Sequence, residues 1–166
     1  MSKFSNNVTR LLDSKKVPYQ VFEVPPEKFG ALQVAAILGI EEKLVYKTIV
    51  TRKESNQHYC LAIVPATAEV DLKLLAKAIN EKKVSMTTQA EAEKVTHLLA
   101  GGISPLALLN KGFQMVVDSS CKALDLMFIS AGQRGADIRL APADLIRITN
   151  AIAAEISIPN ESRVLG

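Results

Sequence analysis

Tryptophan is absent from this chain of 166 residues, and phenylalanine and tyrosine bring the aromatic share to only 5%. So few rings leave no platform on which successive bases could stack. Any RNA partner is therefore expected to be held by its backbone and its end. Cysteine occurs only as Cys60 and Cys121, and histidine only as His58 and His97. Neither pair has zinc-ligand spacing, and no CxxC is formed, so no metal and no other cofactor is expected. A disulfide between the two cysteines is disfavoured in a reducing cytosol. No apolar run approaches the length that spans a bilayer, and Met1-Ser2-Lys3-Phe4-Ser5-Asn6-Asn7 lacks a signal peptide's apolar stretch. The expectation is a cytoplasmic protein with no membrane partner. P-loop, dinucleotide-binding and GxSxG patterns are missing as well.

What is there describes an ordinary folded protein. Hydrophobic residues make up 48% and charged residues 22%, and the length suits one domain over residues 1–166. The net charge of +3 permits contact with nucleic acid without requiring it, since Lys15-Lys16, Lys82-Lys83, Arg134, Arg139 and Arg147 are scattered. Apolar spacing at Val8, Leu11 and Leu12 predicts an opening helix, ended by Pro18. Strands are expected over Tyr19 to Val24, Leu44 to Thr51, Tyr59 to Val64, Val84 to Met86, Met115 to Val117, Leu126 to Ile129 and Ile138 to Leu140. Helices are expected over Ala31 to Leu38 before Gly39, from the cap Asp71 through Ile79, over Glu91 to Val95, and from Pro142 through Ile152. This mixture has no strict βαβ repeat. It points to an α+β fold, a mixed barrel-like sheet flanked by helices.

Three short segments carry the chemistry. In Gly101-Gly102-Ile103-Ser104-Pro105-Leu106, paired glycines let backbone approach a ligand closely, and Pro105 stiffens the exit. In Lys47-Thr48-Ile49-Val50, Lys47 shares a strand face with Val45 and Ile49, so its ammonium must reach water or meet an anion. A lysine near a strand end that simply reaches solvent is an equal reading of that segment. Ser130 opens Ser130-Ala131-Gly132-Gln133-Arg134-Gly135 either as a turn serine or as a hydroxyl beside the glycine loop. Asp137 could meet a lysine or a ligand amine, although a surface carboxylate is the commoner case. Cys60 alternates with apolar residues and reads as core, while Cys121, in Asp118-Ser119-Ser120-Cys121, is expected to be the more exposed of the two.

Together these segments resemble the YbaK family of bacterial aminoacyl-tRNA deacylases, which is related to the editing domain inserted in bacterial prolyl-tRNA synthetases. The resemblance runs from about Phe29 to Ile156. It also takes in Ala62-Ile63-Val64-Pro65, Leu72-Lys73-Leu74-Leu75-Ala76, Lys83-Val84-Ser85-Met86 and Pro142-Ala143-Asp144-Leu145. It implies removal of cysteine wrongly attached to tRNA(Pro), in trans to prolyl-tRNA synthetase, with the acceptor end of an aminoacyl-tRNA as partner. By the same resemblance Lys47, Gly101 and Gly102 are the catalytic candidates, and Ile103, Ser104, Pro105, Ser130 and Asp137 bind substrate. The substrate's own thiol would act as nucleophile. The chain departs from the family pattern at Thr96-His97-Leu98, at Ala107 and over Leu108-Leu109-Asn110-Lys111. These departures are expected to flank the pocket and bear on amino-acid specificity. A deacylase for another small amino acid such as alanine, or a non-catalytic module that binds an aminoacyl-tRNA or docks on a synthetase, is the alternative.

Overall fold

The structure, a computed structural model, describes residues 4–160. Local chemistry accounts for where the helices begin. Helix α1 (Asn7–Ser14) starts at Asn6, whose side chain accepts from the N–H of Thr9, while the Thr9 hydroxyl accepts from the N–H of Asn6. It turns Val8 and Leu12 inward. Helix α2 (Ala31–Leu38) stops at Gly39, which adopts φ +68 as an αL cap. Asp71 accepts from the N–H groups of Lys73 and Leu74 to start α3 (Leu72–Ala78), and Thr88 caps α4 (Gln89–Thr96). Helix α5 (Pro142–Thr149) opens on its proline, as expected, but ends three residues earlier than its periodicity suggests. Asn150 turns left-handed there (φ +54), and Ile152 starts a strand instead.

Among the described residues, ten strands form three sheets. The largest has the order β5-β2-β3-β6-β9, from β2 (Tyr46–Lys53), β3 (Tyr59–Pro65), β5 (Val84–Met86), β6 (Gln114–Asp118) and β9 (Ile152–Ala154). Strands β2 and β3 form an antiparallel hairpin, while β3–β6 and β6–β9 are parallel, so the sheet is mixed. A second sheet has the order β1-β8-β7, from β1 (Gln20–Glu23), β7 (Met127–Ser130) and β8 (Ala136–Leu140). The third pairs β4 (Ala68–Val70) with β10 (Ser157–Pro159), two short strands the sequence pattern does not announce. The expected α+β class is what forms, but the described strands do not close into a barrel. Glu42–Leu44 is a 3-10 turn, so β2 starts at Tyr46 rather than Leu44, and β7 starts one residue after Leu126.

Strand β3 is the spine. Cys60 to Pro65 are all buried, as in a strand covered on both faces. Leu61 and Ile63 pack with Val117, Met127 and Leu12 on one face. Cys60, Ala62 and Val64 pack with Leu75 of α3 and Ile156 on the other. Each fully buried leucine or isoleucine there contributes roughly 2–3 kcal/mol. Cys121 belongs to the first cluster and is fully buried, so the expected exposure is wrong. Asp118 accepts from the N–H of Ser120 and starts a 3-10 turn that brings the thiol inside.

Candidate functional site

The two larger sheets pack on one another through the main core and are joined, among the described residues, by an isolated parallel bridge, Val45 to Phe128. Helix α2 covers that junction, with Ala35 against Val45 and Phe128. Beside that bridge, between the start of β2, the end of β7 and the start of α2, lies a cavity of about 160 Å³. The bridge sets the register of what faces it. Two residues beyond Val45 and Phe128, on the same strand faces, stand Lys47 and Ser130. Ser130 lies directly opposite Asp137 in the antiparallel β7–β8 pair, so the two side chains share a face. Lys47, Ser130 and Asp137 thus form one row along the cavity, and Gly101 and Ile103 enter from the glycine loop.

Asp137 is 6% exposed and not the surface carboxylate that is the commoner case for its position. Strand β8 lies between β1 and β7, which places its residues mid-sheet, and burial raises the carboxyl pKa from 3.8 to about 7. No hydrogen bond holds this carboxyl among the described residues. Lys47 is half-buried, and burial lowers its pKa, partly countered by Glu69. Neither group forms an ion pair with the other, so two opposite potential charges face one space without neutralising each other. The Ser130 oxygen accepts from the N–H of Gly132 at 3.2 Å. Ser130 therefore does initiate the turn, and its hydroxyl proton has no acceptor among the described residues.

The glycine loop is held from both sides. Gly101 adopts φ +90 and packs against the backbone of Phe29. Its N–H has no acceptor among the described residues. A Cβ on Gly102 would come within 2.8 Å of Gln133 backbone atoms, so glycine is what allows the loops at 101–102 and 133–134 to touch. Gly102, Ser104 and Pro105 do not line the cavity. Gly102 donates to the carbonyl of Leu99, Ser104 is fully buried and caps the turn Pro105–Ala107 through the N–H of Leu106, and Pro105 starts that turn. Phe29, Gly30, Ala31 and Val34 line the cavity and escaped the sequence reading, while Thr48 belongs to the Lys47 segment already singled out. The one available signal was Phe29-Gly30 immediately before a helix, where Gln33 reaches back to accept from the N–H of Gly30. Neither cysteine and neither histidine lines this cavity.

The departures from the family pattern do not line the cavity. His97, Leu98, Ala107, Leu109, Asn110 and Lys111 all line a second, larger groove of about 970 Å³, beyond the wall formed by the two touching loops.

Residues 25–148 match the model of the aminoacyl-tRNA editing domain. The chain belongs to that family. The editing-family chain is 35% identical over 153 residues to EbsC of Enterococcus faecalis, named as a candidate Cys-tRNA(Pro)/Cys-tRNA(Cys) deacylase, covering 91% of this chain and 92% of the other. It is 23% identical to the prolyl-tRNA editing protein ProX of Acetoanaerobium sticklandii, over 84% and 87% of the two chains. Among solved structures it superposes on a candidate trans-editing enzyme for prolyl-tRNA synthetase with a TM-score of 0.76 at 20% identity, covering 94% and 99%. The hypothetical protein APE2540 superposes with a TM-score of 0.84 at 19% identity, covering 92% and 100%. These two likenesses speak to the fold.

Proposed function

We propose that this aminoacyl-tRNA deacylase clears cysteine from tRNA(Pro) in trans to prolyl-tRNA synthetase, with the substrate's thiol opening its own ester. The observation that carries the reading is a small cavity holding a cation, a buried carboxyl and a free backbone N–H, but no thiol or imidazole of its own. The names of the relatives favour cysteine and tRNA(Pro).

In this mechanism the cysteinyl sulfur bonds to its own ester carbonyl carbon, and the bond from that carbon to the ribose oxygen breaks. The thiol proton leaves to a base, the ribose oxygen takes a proton, and the cyclic thioester product is opened by water to free cysteine. Because the attack is intramolecular, orientation supplies much of the rate. In this reading the Gly101 N–H stabilises the developing oxyanion. Lys47 holds the negative or polar groups of the terminal nucleotide. Asp137 accepts from the substrate's amino group or takes the thiol proton, for which a pKa near 7 is well matched. Ser130 donates its hydroxyl proton to the aminoacyl group. Gly102, Ser104 and Pro105 act by holding the loop that presents Gly101.

Deacylation rates on Cys-, Ser- and Ala-charged tRNA(Pro) test the reading. Serine keeps the shape and replaces the thiol with a weaker nucleophile, so Cys-tRNA(Pro) should be cleared faster by at least roughly tenfold. Equal rates on Cys- and Ser-tRNA(Pro) would exclude the thiol mechanism and favour an activated water. Ala-tRNA(Pro) as the best substrate would reassign the amino acid.

A further inference from the structure

The larger groove, on the far side of the loop wall from the cavity, has a one-sided character. It is bordered by one side of α1 from Asn6 to Lys15, the end of α4, the Leu106–Phe113 segment, the Gly132-Gln133 turn and the end of α5. Lys15, His97 and Lys111 line it, and among the described residues no aspartate or glutamate does. All three are exposed, and neither lysine has an ion pair or side-chain hydrogen bond among the described residues. Four side-chain amides, Asn7, Asn110, Gln133 and Asn150, supply neutral donors, while that of Asn6 is spent on Ala131 and Gln133. His97, Asn110 and Asn150 adopt positive φ, so tight turns rather than regular ladders shape the rim. Aromatic lining is limited to Phe113 and the His97 ring, so the groove offers charge and amide donors but no stacking platform.

We infer that this groove takes the sugar–phosphate backbone of the tRNA acceptor end whose aminoacyl terminus enters the smaller cavity. The inference rests on the reading of the chain as a deacylase of aminoacyl-tRNA and adds where the RNA lies. Two observations commit the groove to RNA rather than to a protein partner. Its lining pairs cations with amide donors and lacks carboxylates, which is complementary to a phosphate chain and not to a mixed-charge protein surface. It also adjoins the cavity across a single wall. Gly101 and Ser130 face the cavity, while Leu98, Gly132 and Gln133 of the same two loops face the groove. A strand threading the cavity therefore has the groove as its neighbouring cationic surface.

The test is equilibrium binding of uncharged tRNA(Pro), which does not depend on catalysis, measured across a salt series. The double variant Lys15→Glu/Lys111→Glu is compared with Lys73→Glu/Lys77→Glu. The latter pair carries the same charge change on α3, away from both the groove and the cavity. All four lysines are exposed, so both variants are expected to fold, and thermal melting checks that. The groove variant should bind about tenfold more weakly or worse near 0.1 M salt, with a salt slope shallower by about 1.4, the value for two lost single-strand phosphate contacts. The α3 variant should stay within about twofold of the parent, as a charge outside the contact releases no counterion. Equal losses in both pairs, no loss in the groove pair, or no tRNA binding by the parent protein would each overturn the inference. Failure to release cysteine from charged tRNA, with the groove result intact, would strike the proposed function alone.

Discussion

The Nε of Arg134 donates to the carbonyl of Ala100 at 2.8 Å, and the N–H of the same alanine donates to Glu93 at 2.7 Å. The Ala100 carbonyl and the Gly101 N–H belong to one planar trans peptide and point in opposite directions. Pinning the carbonyl therefore aims the free N–H of Gly101. Arg134 and Glu93 are positioning residues for that donor, one from the Ser130–Gly135 turn and one from α4.

Arg134→Ala should lower kcat by about tenfold, since a hydrogen bond from a charged group contributes about 1.5–3 kcal/mol, with a smaller change in KM. Glu93→Ala should behave likewise. Glu93→Gln keeps an acceptor oxygen for Ala100 and should remain near the parent. Steady-state deacylation on Cys-tRNA(Pro), with melting as the fold control, measures the split. A Glu93→Gln variant as impaired as Glu93→Ala would show that charge, not the held peptide, matters.

Lys47→Ala should cut deacylation by about 10²-fold, the scale of losing one preorganised electrostatic partner. The fold should survive. Lys47 has no ion pair among the described residues to orphan, and its removal relieves the desolvation that lowers its pKa. Single-turnover rates and melting curves check both halves. Full activity in well-folded protein would make Lys47 the solvent-reaching lysine of the simpler reading.

Cys60→Ser and Cys121→Ser should both retain activity, because both thiols are fully buried outside the cavity. Burial pushes the Cys60 thiol up to about 11 and raises that of Cys121, which is the wrong direction for a nucleophile. The cost should fall on stability. A hydroxyl placed among Ala62, Val64 and Leu75 costs about 1–3 kcal/mol unless it finds a partner. Loss of activity in folded Cys121→Ser protein would point to an enzymic thiol instead.

How far the sequence could be read depended on whether the determining contacts were local. Asn6, Gly39 and Asp71 act within one helical turn, so α1, α2 and α3 were legible from caps and spacing. Strands β4 and β10 were not, because three residues carry no period and their pairing joins Val70 to Ser157. The end of α5 misled for the same reason. Ile152 continues the helical spacing of Leu145 and Ile148 in sequence but pairs with Val116 in the parallel sheet. At the site, Lys47, Ser130, Gly101 and Ile103 stood out as segments that the Val45–Phe128 bridge then brought together. The burial of Asp137 could not be read, as it follows from β8 lying between β1 and β7. Ser104 and Pro105 looked like ligand contacts, yet their burial makes them supports of the loop.

Asp137 links activity and stability to pH with opposite signs. Its pKa is raised from 3.8 to about 7 by burial alone, so the folded chain binds this proton more tightly than the unfolded one. Stability from this group is then fullest below about pH 4 and is lost as pH rises to about 7, after which it levels off. The total is at most about 4 kcal/mol at 1.36 kcal/mol per unit. Asp137→Asn should remove that dependence, so its gain in melting temperature over the parent should be larger at pH 8 than at pH 5. Activity should run the other way. If the ionised carboxylate receives the substrate's amino group or thiol proton, kcat/KM should rise through pH 7 just where stability falls. The asparagine variant should lose both the rate and that step in the profile. Parallel melting and rate measurements from pH 5 to 8.5 decide it. A parent whose activity is flat across pH 7, or a variant that keeps the step, would remove Asp137 from the chemistry and leave it a buried structural carboxyl.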